Sequence, residues 1–209
     1  MTKQNDAMAL AAAIASSRVS ASEAMEASLA AVRKHRDLGA VDVLKPELGL
    51  EVAAAFDAER RTTPESLSGR PFGDVPTLVK DLGSPFAGIP EAAGSNALRG
   101  LSDGSADSEF ARRFRATGLI SFGSTLVPEF GMSVSTEPLG RDPARNPLDP
   151  KRTPGGSSGG SVACCGLIGL KPSRGVMPQA PDFGNIWPGS PRNLPCAVPS
   201  GTHASPSIT

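Results

Sequence analysis

Apolar residues in the N-terminal part of the chain recur at helical spacing, and short apolar runs follow. Asp6 to Ser17 is alanine-rich, and a short first helix is expected there. Ser20-Ala21-Ser22-Glu23 has the layout of a capping box, and Met25, Leu29 and Val32 then fall on one face, which predicts a helix from Ala21 to Arg36. A third helix is expected over Leu48 to Arg60, with Val52 and Phe56 on one side. Thr62 to Gly73 reads as a polar loop. Val75 to Val79 is a short apolar run suited to a buried strand, and it leads directly into Lys80.

The same grammar repeats further on. Asp107 to Thr117 predicts a helix with Phe110 and Phe114 at i and i+4, stopped by Gly118, and Leu119 to Phe122 is the next strand. Strand, helix and strand in that order imply an α/β fold with a sheet flanked by helices. Pro128 to Pro154 carries frequent proline and no period, and predicts an irregular segment. Leu167 to Leu170 is a further expected strand, closed by Lys171-Pro172. From Ile186 to Thr209 the chain is proline-rich with a single charged side chain, Arg192, and is expected to be disordered. The organisation expected is one partial domain over 1–185 and a tail over 186–209.

Composition narrows the function classes. At 209 residues and 39% hydrophobic content the chain can bury an ordinary core. Lysine plus arginine equals aspartate plus glutamate at 21 each, and no basic block stands out, so nucleic acid is not an expected ligand. No stretch has the length of a membrane span or the layout of a signal peptide, so no membrane association and a cytoplasmic location are expected. Three cysteines and two histidines make neither a disulfide framework nor a metal site at recognisable spacing. No cofactor is expected.

The chemistry centres on Gly155-Gly156-Ser157-Ser158-Gly159-Gly160-Ser161 and on Lys80. A glycine-rich run can present a hydroxyl at close range to a buried partner, and a lysine in apolar surroundings loses its proton more easily. Taken alone, the loop also fits a flexible linker. A phosphate cradle fits less well, because the loop lacks the Lys-Ser or Lys-Thr ending that a P-loop needs. A nucleophile elbow with Ser157, Asp182 and His203 follows the chain order of an α/β-hydrolase, but Asp149 to Pro154 cannot form the strand that such an elbow needs.

Five segments in order resemble the amidase signature family of serine amide hydrolases: Val75-Pro76-Thr77-Leu78-Val79-Lys80-Asp81; Pro128-Glu129-Phe130-Gly131; Thr136-Glu137-Pro138 with Arg145-Asn146-Pro147; Pro154 to Ser161; and Cys165 to Gly175. The resemblance implies the N-terminal part of that family's fold, a mixed sheet flanked by helices and here incomplete. It also implies a Ser-cisSer-Lys triad, with Lys80 as the catalytic lysine and Ser157 as the bridging serine whose peptide bond is cis. Gly155, Gly156, Gly159 and Gly160 would give the loop its freedom, Ser158 would add hydrogen bonds around the lysine, and Ser161 completes the motif. The substrate implied is a small carboxylic amide, with a homo-oligomer left open.

The chain departs from that family in three places. The segment that carries the nucleophile and the oxyanion loop is absent, because Val162-Ala163 joins directly to Cys164-Cys165-Gly166, and no nucleophile is identifiable. The pattern breaks again after Asn185. Ser124 stands where relatives commonly carry lysine. These departures predict an amidase-family hydrolase whose activity is lost. The alternatives are a non-catalytic fragment that binds a full-length relative, and a serine esterase using Ser157.

Overall fold

The computed structural model describes residues 6–63, 69–102 and 104–165, together with the backbone of 168–170 and 196–198. Helix α1 (Ala7–Ala15) starts on Asp6, whose carboxylate accepts the Ala9 N–H at 2.8 Å. Helix α2 (Ala21–Lys34) is closed by the expected capping box: Ser20 Oγ accepts from Glu23 N at 3.0 Å and Glu23 Oε2 accepts from Ser20 N at 2.8 Å. Helix α3 (Pro46–Thr62) opens on proline, which gives up no needed N–H in a first turn. Asp57 of α3 caps α2 a second time, accepting from Ala21 N, Ser22 N and Ser22 Oγ.

The sheet has three strands in the order β1 (Val41–Leu44), β3 (Ile120–Thr125) and β2 (Pro76–Lys80). β1 runs antiparallel to β3 and β2 runs parallel to it, so the sheet is mixed, as expected. β1 was not foreseen, because Val41-Asp42-Val43-Leu44 is short and carries a charge. Inside the fold the Asp42 carboxylate is bonded to Arg99 at 2.8 Å and to Arg141, which removes the cost of burying it alone. β3 runs three residues beyond the expected Phe122, because Gly123-Ser124-Thr125 is small enough to lie buried between two neighbours. Between the pairs Thr77–Ser121 and Val79–Ser124, β3 holds two residues against one of β2, a bulge at Phe122-Gly123.

One face of the sheet is covered by α2 and α3, whose Met25, Leu29 and Ala53 pack with Ile120 and Phe122. A separate cluster on Val79 gathers Phe86, Ile89 and Ala111, and helix α4 (Glu109–Ala116) adds Phe110 and Phe114 to it. The ring of Phe86 meets that of Phe114 edge-on at 5.5 Å. α4 begins two residues later than Asp107 because Ser108 is its cap, while Asp107 accepts from Ala87 N and pairs with Arg115. Pro128 to Pro154 carries no long helix or strand, as expected, and is built of tight turns, at Glu129–Gly131, at Leu139-Gly140 and between the bridged Asn146 and Asp149.

Helix α5 (Gly159–Cys165) follows the glycine loop. Beyond it β4 (Ile168–Leu170) pairs antiparallel with β5 (Cys196–Val198), so three residues of the tail expected to be disordered form a strand, held by that pairing. The rest of that tail lies outside the described residues. Among the described residues no helix is long and apolar enough to cross a membrane.

Candidate active site

Lys80 closes β2, and its side chain crosses to the glycine loop, where Nζ donates to Ser157 Oγ at 2.8 Å. Burial holds the Lys80 ammonium down at about 8, well below the usual lysine value. At that value a usable share of the amine is neutral at ordinary pH, and a neutral amine can accept a proton from the serine. The peptide bond between Gly156 and Ser157 is cis.

The loop is gripped at several points. Thr136, fully buried, donates its hydroxyl to Gly155 O at 2.9 Å and accepts the Gly159 N–H at 3.2 Å, so one side chain pins both ends. A Cβ on Gly159 would strike that hydroxyl, which is why the position takes no side chain. Gly160 presses against the end of β3: its N–H donates to Leu126 O at 3.2 Å, and a Cβ there would lie 2.5 Å from both Ala40 O and Leu126 N. Ser161 Oγ bonds Thr125 Oγ1 at 2.8 Å, and Thr125 stands opposite Lys80 in the β2–β3 register. Ser158 contributes its carbonyl, which accepts the Val162 N–H at 3.1 Å in the first turn of α5.

A second chain of contacts supports the loop from the Glu129–Gly131 turn. Asp81, next to Lys80, accepts the N–H groups of Ala92 at 2.7 Å and Gly94 at 2.9 Å. Ala93 O in turn accepts Phe130 N–H at 2.8 Å, and Gly131 then lies against Ser157 and Leu82. Burial raises the Asp81 carboxyl to about 6, against the lowering effect of the two N–H groups; Asp42 and Glu91 push it up further.

Ser124 lines a small cavity with Lys80, Asp81, Ser84, Phe86 and Glu91, and its buried Oγ has no hydrogen-bond partner among the described residues. Among the described residues no group of His, Cys, Asp and Glu could hold a metal ion.

Lys80 and Ser157 were foreseen as a pair and the fold brings them together. Gly155, Gly156, Gly159, Gly160 and Ser161 lie in the same clamped loop. Asp182 and His203 lie outside the described residues. Thr125, Thr136 and Asp81 had no assigned part. Asp81 and Thr136 fall within the motif segments and Thr125 within none, and the bonds of all three close over long stretches of chain.

The arrangement is a lysine base joined to a hydroxyl by one hydrogen bond, on a loop held by a buried threonine. The Amidase family model matches residues 23–164. The chain belongs to the amidase family. It is 37% identical to the amidase-family protein AmiC of Mycobacterium leprae over 199 positions, covering 83% of this chain and 40% of that one. It is 31% identical to the 6-aminohexanoate-cyclic-dimer hydrolase of Paenarthrobacter ureafaciens, covering 84% of this chain and 38% of the relative. A solved structure of a 6-aminohexanoate cyclic dimer hydrolase superposes with a TM-score of 0.70 at 31% identity, over 85% of this chain and 40% of that chain.

This amidase chain therefore spans about 40% of the length of the curated relatives it matches. The 199 positions aligned with AmiC take up 83% of 209 residues, about 173, so about 26 of them face gaps in this chain. The family match itself stops at Cys164.

Proposed function

We propose that this amidase carries the proton-relay half of a Ser-cisSer-Lys site for hydrolysis of non-peptide carboxylic amides, and that the nucleophile segment is missing at the Ala163–Cys164 junction. The observation that carries the reading is the 2.8 Å bond from Lys80 Nζ to Ser157 Oγ, with the lysine held near 8. In a complete site a neutral Lys80 takes the Ser157 proton while Ser157 Oγ takes one from the attacking serine. That serine adds to the amide carbonyl, and the relay returns a proton to the leaving amine.

The gaps opposite AmiC and the end of the family match at Cys164 support a missing segment between the glycine loop and the Cys165–Gly175 motif. Without a nucleophile the relay has no attacking group to activate. Linear and cyclic amides are the substrate class, by likeness to the cyclic-dimer hydrolase, and a cytoplasmic location belongs to the same reading.

The test is hydrolysis of 6-aminohexanoate cyclic dimer and of an aryl amide by the chain and by Lys80→Ala. Equal, background rates are expected. Turnover that Lys80→Ala abolishes would overturn the missing nucleophile. A fluorophosphonate probe is expected to leave the peptide spanning Ser157 and Ser161 unlabelled, read by mass spectrometry.

A further inference from the structure

Successive pairs of the β2–β3 register turn to opposite faces of the sheet. Lys80 and Thr125 meet Ser157 and Ser161 on one face, whereas the pair before them, Val79 and Ser124, turns to the other, where Val79 packs with Phe86 and Ile89. There Asp81, Ser84, Glu91 and Ser124 line a cavity with room for about one water molecule. Among the described residues Lys80 is the single cationic residue on its wall, and that amine is bonded to Ser157. The cavity is thus a place apart from the relay.

Its four polar side chains offer acceptors in excess of donors. Asp81 is 1% exposed, and its two oxygens take one N–H each, from Ala92 and Gly94, which leaves lone pairs on both. Glu91 Oε2 takes the Ser84 N–H at 3.3 Å, and the Ser84 hydroxyl gives its proton to Gly83 O at 2.6 Å, so its own oxygen is left to accept. Ser124 is 1% exposed, and its Oγ has no partner among the described residues. A buried polar atom in that state calls for a ligand. Burial raises the Asp81 carboxyl, and Asp42 and Glu91 push it the same way, so the field in the cavity favours a positive charge.

The same set decides which cation. Calcium takes about six to eight oxygen ligands and magnesium keeps several of its waters, and a space for about one water beside two carboxylates and two hydroxyls suits neither. An ammonium ion has the size of a water molecule, a single charge and one N–H for each of the four acceptor side chains. We propose that this cavity binds one ammonium ion, held by Asp81, Ser84, Glu91 and Ser124. The ion sits at the root of the contacts that run from Asp81 through Ala92 and Gly94 to Phe130 and on to Gly131 against Ser157, so its binding braces the turn that supports the loop. It does so whether or not the chain hydrolyses amides.

The test follows thermal melts of the chain at pH 7 while ammonium chloride replaces tetramethylammonium chloride at fixed total chloride, the larger ion being too big to enter. A saturable rise of about 3 °C is expected. Ser124→Ala and Glu91→Gln should each raise the half-saturating concentration about tenfold, and Glu26→Gln, at an exposed carboxylate of α2, should leave it unchanged. Ser124→Lys carries a tethered ammonium into the cavity, so it should melt as high as the parent saturated with ammonium and no longer respond to the salt. Melts in tetramethylammonium chloride alone establish that each variant is folded. A rise that does not saturate, a response that Ser124→Ala and Glu91→Gln both keep, or an equal response to potassium chloride overturns the proposal.

Discussion

Lys80 and Ser157 stand 77 residues apart in the chain and 2.8 Å apart at their side-chain tips. That contact joins the end of a sheet strand to a glycine loop, and burial makes the lysine the weaker partner for a proton. The consequence can be measured without any turnover. Reaction of the Lys80 amine with an acylating reagent should titrate near 8, and Ser157→Ala should leave a titrating amine with altered reactivity.

Burying that ammonium costs stability, with a definite sign. The folded value lies below the unfolded 10.5, so between about 8 and 10.5 the unfolded chain holds more protons and the native chain gains stability as pH rises. Lys80→Met should therefore be more stable than the parent at pH 7 by about 1–2 kcal/mol after loss of the bond to Ser157. The advantage should shrink as pH rises through that window. Urea melts at a series of pH values read it, and a constant difference would refute it.

Thr136 holds the loop at two places through one hydroxyl. Thr136→Val should cost about 1–3 kcal/mol, because it strips Gly155 O and Gly159 N of a partner in a buried setting. The Lys80 titration should also move upward as the loop loosens and water reaches the amine. Thr136→Ser should restore both readouts in large part.

Gly160 meets two carbonyls and an N–H where a Cβ would go. Gly160→Ala has to displace the backbone of Ala40 or Leu126, neither of which is a flexible side-chain tip. A loss of about 1–3 kcal/mol is expected in denaturant melts. Gly155→Ala makes a contrasting control, because that position has open space around it and only its positive φ opposes the change.

Ser124 has a buried hydroxyl with no partner among the described residues. Ser124→Ala should be neutral or stabilising by up to about 1 kcal/mol, since it removes a desolvated group and no bond. A marked loss of stability would mean that the hydroxyl is satisfied in solution.

Much of this was legible from local pattern. The capping box at Ser20, the Phe110–Phe114 pair and the stop at Gly118 are short-range signals, and the elements formed within a few residues of where they point. Lys80 and Ser157 were readable because each sits in a motif whose residue types fit a single chemistry. β1 was not, because Asp42 is tolerable in a strand only once Arg99 and Arg141 arrive from distant loops. Thr125 and Thr136 were hidden for the same reason: their hydroxyls matter through partners 36 and 19 residues away, and nothing at short range marks them.

The bulge in β3 acts as a spacer in a ruler. Without the extra residue at Phe122-Gly123, Lys80 would face Ser124 instead of Thr125, and the Thr125–Ser161 bond that anchors α5 would be displaced along the strand by ~3.3 Å. Side chains would also alternate to the opposite face. One inserted residue in the middle of the sheet thus sets the phase between the strand that carries the base and the helix that follows the serine, so an error in strand pairing is at once an error in chemistry.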